Sequence, residues 1–258
     1  MRSAFAGSAG PGYRLVAWLL VISLMAGCGT TLDGAFSRGE GGGWENSRWA
    51  GLRLERAGRP LAPGRYTALQ RGDYIVTDAN TYALIRFEAG AEAYLAPGSS
   101  ATIASLSSFL GEVLVKIERL QGRFEVKTEF ITAGAKGTVF LVHAEPDGRA
   151  WVSVLQGVVR VASNAGRWPE QDLQPGERAD FFRDRPPTRR PMSEPDVRDI
   201  QRRYEPLEQA APPGKGVVIG AGVGLAVVAG VVISRAGRGG GGGQGGGNAP
   251  VGTATRGP

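Results

Sequence analysis

From Thr67 to Arg183, apolar residues recur at every second position in short runs, with Gly, Pro, Asp and Asn between them. Val113, Val115 and Ile117 fall on one face of such a run. Phe124 and Val126 do so on a second, and Val152 and Val154 on a third. Period two over short segments predicts strands, and turn residues roughly every ten positions predict an antiparallel β-sandwich or roll. "EPDG" at 145–148 reads as a turn. "LAPG" at 61–64 and 95–98 and "LQPG" at 173–176 carry proline and glycine at the corners of a type II turn. Trp151, on the alternating run "AWVSVLQG", is expected in the core. The pattern changes only after Arg183. Ser193 and Asp196 are spaced as a capping box, and Val197, Ile200 and Tyr204 follow at helical spacing, with Pro206 near the end. A short amphipathic helix is expected there.

Two uncharged apolar runs lie outside this region. Leu15–Ala26, after Arg2 and Arg14, has the layout of a secretory signal peptide and is short for a membrane span of about 20 residues. Gly216–Ser234 is long enough to cross a bilayer, so a transmembrane helix is expected there. Its Gly216, Gly220 and Gly224 form a small-residue face for close helix packing, and hence for a homodimer. Residues 29–66, with three glycines at 41–43, read as a tether, although Trp49, Leu52 and Leu54 could open the folded part. The expected division is a signal peptide at 1–27, Cys28 and a glycine-rich tether at 28–66, and a β domain at 67–183. A Pro/Arg-rich linker with a short helix follows at 184–215, then the membrane helix at 216–234 and a glycine-rich coil at 235–258.

Composition narrows the chemistry. The chain of 258 residues has one cysteine, Cys28, and one histidine, His143, too few for an internal disulfide or a zinc or haem ligand set. The formal charge is +6, but removal of residues 1–27 takes two arginines and no acid, and the remaining basic residues form no single run. Nucleic acid is therefore not an expected partner. "LMAGC" before Gly29 looks like a bacterial lipobox, which makes Cys28 the expected lipid attachment site and membrane lipid the expected partner. Glu88, Glu92, Glu112, Glu118, Glu125 and Glu129 could supply paired carboxylates, but solvated faces are the plainer expectation. Trp44, Trp49, Trp151 and Trp168 are the candidates for a sugar-stacking platform. Gly220, Gly222 and Gly224 follow no strand and fail the spacing of a dinucleotide loop. No catalytic residue, cofactor or metal is expected.

Five segments in order resemble the FecR domain of bacterial envelope proteins. They are "GDYIVTDANTYALIRFEAGAEAYLAPGSSATI" (72–103), "LQGRFEVKT" (120–128), "AKGTVFLV" (135–142), "VSVLQGVVRV" (152–161) and "LQPGE" (173–177). The resemblance implies an extracytoplasmic β module, best known from iron-uptake signalling, where it receives a signal from an outer-membrane transporter and regulates an extracytoplasmic-function sigma factor. Only 14 residues precede the first apolar run, and the tail is glycine coil, so no sigma-binding segment is recognisable. The leading expectation is thus a non-enzymatic, exported, membrane-tethered binding or scaffold module with an envelope protein or cell-wall glycan as partner. The alternative is a transmembrane regulator of a sigma factor.

Overall fold

A computed structural model describes residues 29–88, 90–118 and 123–212. Among them are eighteen strands and one α-helix. The larger sheet runs in the order β2 (Trp44–Asn46), β1 (Thr31–Arg38), β7 (Tyr82–Arg86), β8 (Ala91–Leu95), β10 (Leu106–Ile117), β13 (Val139–Ala144), β14 (Arg149–Gln156), β17 (Glu177–Phe182) and β18 (Thr188–Pro191). β5 (Thr67–Ala68) pairs with the start of β1.

The second sheet runs β4 (Arg59–Leu61), β3 (Leu52–Arg56), β6 (Tyr74–Thr77), β9 (Ser100–Ile103), the first half of β10, β11 (Phe124–Lys127), β12 (Ile131–Ala135), β15 (Val159–Ser163) and β16 (Gln171–Leu173). Every pairing is antiparallel except β10 with β11. β10 serves both sheets, and it changes sheet at Gly111. The backbone there has φ +100°, and a Cβ would lie 2.6 Å from the Ser99 Cα, so glycine is required.

The expected antiparallel β fold, a sandwich or roll, is observed as a sheet that curls through β10 into two facing layers. Val113, Val115, Ile117, Phe124, Val126, Val152 and Val154 all sit in the core between the sheets. The "EPDG" turn links β13 to β14, with Gly148 at φ +88°. Trp151 departs from expectation: it lies on the outer face of the larger sheet, because its alternation places Val152 and Val154 inward.

Two expected boundaries are corrected. The tether predicted for 28–66 is folded from Thr31 onward, since β1 is hydrogen-bonded on both sides and six of its residues are buried. Gly34 is accommodated because the Phe36 ring occupies the space its side chain would need. The segment predicted as a linker, 184–215, likewise contributes β18 and α1 (Glu194–Ala210). α1 begins with the predicted box: Ser193 Oγ accepts from the Asp196 N–H, and Asp196 accepts from the Ser193 N–H. It continues past Pro206. The expected signal peptide, transmembrane helix and coil tail lie outside the described residues.

Strand directions define two ends of the sandwich. The near end gathers Thr30, the turns at 57–58, 70–72, 87–88, 104–105, 136–138, 157–158 and 174–176, and the exit of α1 at Pro212. The far end carries the loops at 39–43, 78–80, 128–130, 145–148, 164–170 and 183–187.

Candidate functional site

The outer face of the larger sheet is a second apolar surface. Strand alternation points Leu114 outward between Val113 and Val115, and likewise places Phe36, Leu84, Tyr94, Leu141 and Leu155 on this face. α1 covers it with Val197, Ile200, Tyr204 and Leu207, from the apolar stripe legible in the sequence.

Charged groups frame the apolar contact. Glu112, two positions before Leu114, is buried and receives the Tyr204 hydroxyl at 2.8 Å on Oε1; Arg203 donates to the same oxygen. The His143 Nδ1 stands 3.5 Å from Glu112 Oε2. Burial alone would raise the Glu112 carboxyl, but the neighbouring His143 ring and the Arg203 charge hold it below the usual carboxylate range. Burial, reinforced by Glu112, pushes the Tyr204 phenol well up. Lys116, two positions after Leu114, meets Glu208 at 2.9 Å; burial nevertheless raises the Glu208 carboxyl. Arg86 closes the frame, pairing with Asp33 and Glu92 at 2.7 Å each and donating to the Pro212 carbonyl at 2.8 Å.

His143 is held rather than free. Its ring stacks on Trp151 at 3.7 Å with planes 6° apart, and the Arg178 guanidinium lies over Trp151 at 4.7 Å. Of the six predicted carboxylates, Glu88, Glu118 and Glu129 are exposed as expected, and Glu125 pairs with Lys127. Glu112 and Glu92 correct the expectation of solvated faces, because each faces α1 and its flanks. The four tryptophans do not assemble a platform. Trp49 and Trp168 pack on the inner core, Trp44 lies edge-on to Tyr82 at 5.4 Å, and Trp151 carries His143. Sequence reasoning missed Arg203 and Lys116. Their only signal is that Lys116 shares a strand face with Leu114, and that Arg203 precedes a helical stripe residue.

At the far end, a cleft of about 300 Å³ is lined by Glu129, Phe130, Asn164, Arg167, Trp168 and Arg183, among others. The Asn164 amide donates to the Thr128 carbonyl at 3.0 Å, and Arg183 pairs with Glu129 at 2.7 Å. Among the described residues no group of three or more His, Cys, Asp or Glu could hold a metal ion, and no helix is long and apolar enough to cross a membrane. The predicted lipid site Cys28 and the packing face Gly216, Gly220 and Gly224 lie outside the described residues.

Comparison with curated proteins gives no match. Two crystal structures described as a "putative anti-sigma factor" from Parabacteroides distasonis, at 1.65 and 2.50 Å resolution, are similar at 19% identity and TM-score 0.42. Each alignment covers 48% of this chain and 62% of the other. Likeness at that level says nothing of function. The family model described as "FecR protein" matches residues 73–160, from the residue before β6 into β15. The flanking segments 31–68 and 171–210 complete both sheets around it and add the helix. The centre of this sandwich, residues 73–160, is thus the part of the chain that is similar to the FecR protein family.

Proposed function

We propose that this chain is a non-enzymatic, membrane-attached FecR-type regulator: its extracytoplasmic sandwich takes up a signal from an envelope partner, and the apolar segment 216–234 passes it across the bilayer to a sigma factor. The observation that carries this reading is the seating of α1. The helix that leads toward residue 216 is fixed to the FecR domain by Glu112, Lys116 and Arg86, so a change in the domain moves the segment that follows. The family match supports the signalling class. Cys28 provides a lipid anchor at the other terminus, and the Gly216, Gly220 and Gly224 face provides for pairing of two copies. A tethered scaffold that binds an envelope protein or glycan is the second reading, favoured by the Trp168 and Arg183 cleft at the far end.

Transcript profiling in the native host separates the two. Deletion of the chain, and replacement of 216–234 by an unrelated apolar span of equal length, are both expected to shift one sigma-factor regulon. Unchanged transcripts in both strains would leave the scaffold. Radiolabelled palmitate is expected in the wild-type protein and absent from Cys28→Ala.

A further inference from the structure

The corner at which Thr30, Arg86 and Pro212 meet points to a surface that faces the bilayer. Thr31, in β1, is the ladder partner of Arg86, and Arg86 holds the Pro212 carbonyl beyond α1. Leu69 N–H donates to the Thr30 carbonyl at the same corner. Cys28 is therefore two residues from this corner on one side, and Gly216 is four residues from it on the other. Four residues reach at most about 14 Å even when extended. A short reach from both exits holds the near end, rather than the far end or a flank, against whatever surface receives them.

The near end has the chemistry for an anionic headgroup layer. Arg59, Arg71, Arg123 and Lys136 are exposed on or beside its turns, Arg123 lying over Gly134 with Glu125 at 4.0 Å, against the exposed acids Glu88 and Glu118. Arg56 is excluded from this set because it is bound to the buried Asp73 at 2.8 Å. Val158, at the tip of the β14–β15 turn, is 43% exposed and is the exposed large hydrophobic among the described residues. Cations around an apolar tip are what an interfacial contact needs, and each Lys or Arg at an acidic surface strengthens partition roughly fivefold.

Resting on the reading that this chain is membrane-attached, we infer that the near end of the sandwich lies on the bilayer and contacts acidic phospholipid through Arg71, Arg123 and Lys136, with Val158 at the interface. The far-end cleft then faces away from the membrane. Val158 and Asp147 bracket β14, whose eight residues hold them about 25 Å apart. That distance lets a probe tell the ends apart.

The test uses the full chain, purified from membranes and reconstituted in vesicles of phosphatidylglycerol and phosphatidylcholine with a headgroup spin label. Val158→Cys and Asp147→Cys each carry a thiol-reactive fluorophore, and intact mass reports whether Cys28 is acylated and so closed to the dye. Quenching at position 158 is expected to exceed that at 147 severalfold. It is expected to fall severalfold with Arg71→Gln, Arg123→Gln and Lys136→Gln combined, or in vesicles of phosphatidylcholine alone. Equal quenching at the two positions, or more at 147, overturns the orientation while leaving membrane attachment intact. Quenching at 158 that ignores both the triple variant and the lipid charge overturns the acidic-lipid contact. Protein that fails to pellet with the vesicles overturns the attachment, and this inference with it.

Discussion

The two outer faces of the sandwich are built from the same alternation and come to opposite ends. On the larger sheet, the outward positions of β10 are Glu112, Leu114 and Lys116, and all three are engaged by α1. On the second sheet, the outward positions are residues such as Thr102, Lys127, Thr132 and Arg160, and the described residues place no helix over them. Arg160 there makes a two-pronged pair with Asp172 at 2.7 and 3.0 Å, in the open. A charge in solvent contributes little, whereas a charge beneath a helix must be matched or it opposes folding. The difference teaches where this chain concentrates specificity. One face is committed to a particular helix in a particular register, and the other, among the described residues, stands open.

The comparison can be broken by substitution. Tyr204→Ala removes a fully buried ring and one of the donors to Glu112, so it is expected to destabilise the fold by about 4 kcal/mol in urea unfolding. A loss below about 1 kcal/mol would mean that the helix seat is incidental. Glu112→Gln leaves Arg203 without its buried partner and is expected to cost about 3 kcal/mol near neutral pH. The same variant sharpens the electrostatic half of the comparison. Because the Glu112 carboxyl titrates lower in the folded than in the unfolded chain, its contribution is fully present above the ordinary glutamate range and is lost as pH falls through its folded value. Stability measured across acid pH should therefore fall less steeply in Glu112→Gln than in wild type. Arg160→Ala, on the open face, is expected to change stability by less than about 1 kcal/mol. A larger effect would show that the second face is also engaged.

The inward half of the sandwich was legible because it obeys a local rule. Val113, Val115 and Ile117 announce a strand by themselves, and Ser193 with Asp196 announces a helix start. The outward half was not, because Glu112 next to Leu114 reads as a half-polar face until a helix about 90 residues later brings Arg203 and Tyr204 to it. β1 escaped notice for a different reason. "TLDGAFSR" has weak strand composition, and its burial comes from β7 and from the Phe36 ring filling the space over Gly34, not from its own pattern. The helix was read correctly but taken for part of a linker, since amphipathicity says that a face is covered and not by what. Of the candidate site, the family segments were visible in order, while the Arg86 contact to Pro212 joins residues 126 apart and leaves no sequence trace.

Gathering both chain exits at one corner has a mechanical consequence. Tension applied between Thr30 and Pro212 runs through the Arg86 corner and never crosses the sandwich. A pull by a partner gripping the far end instead runs lengthwise along strands such as β13 and β14. Their ladder hydrogen bonds lie across that direction and resist together in shear, rather than opening one at a time as they would in peeling. Gripped this way, the domain is a stiff strut, and the first part to yield under load would be the Arg86 corner rather than the core.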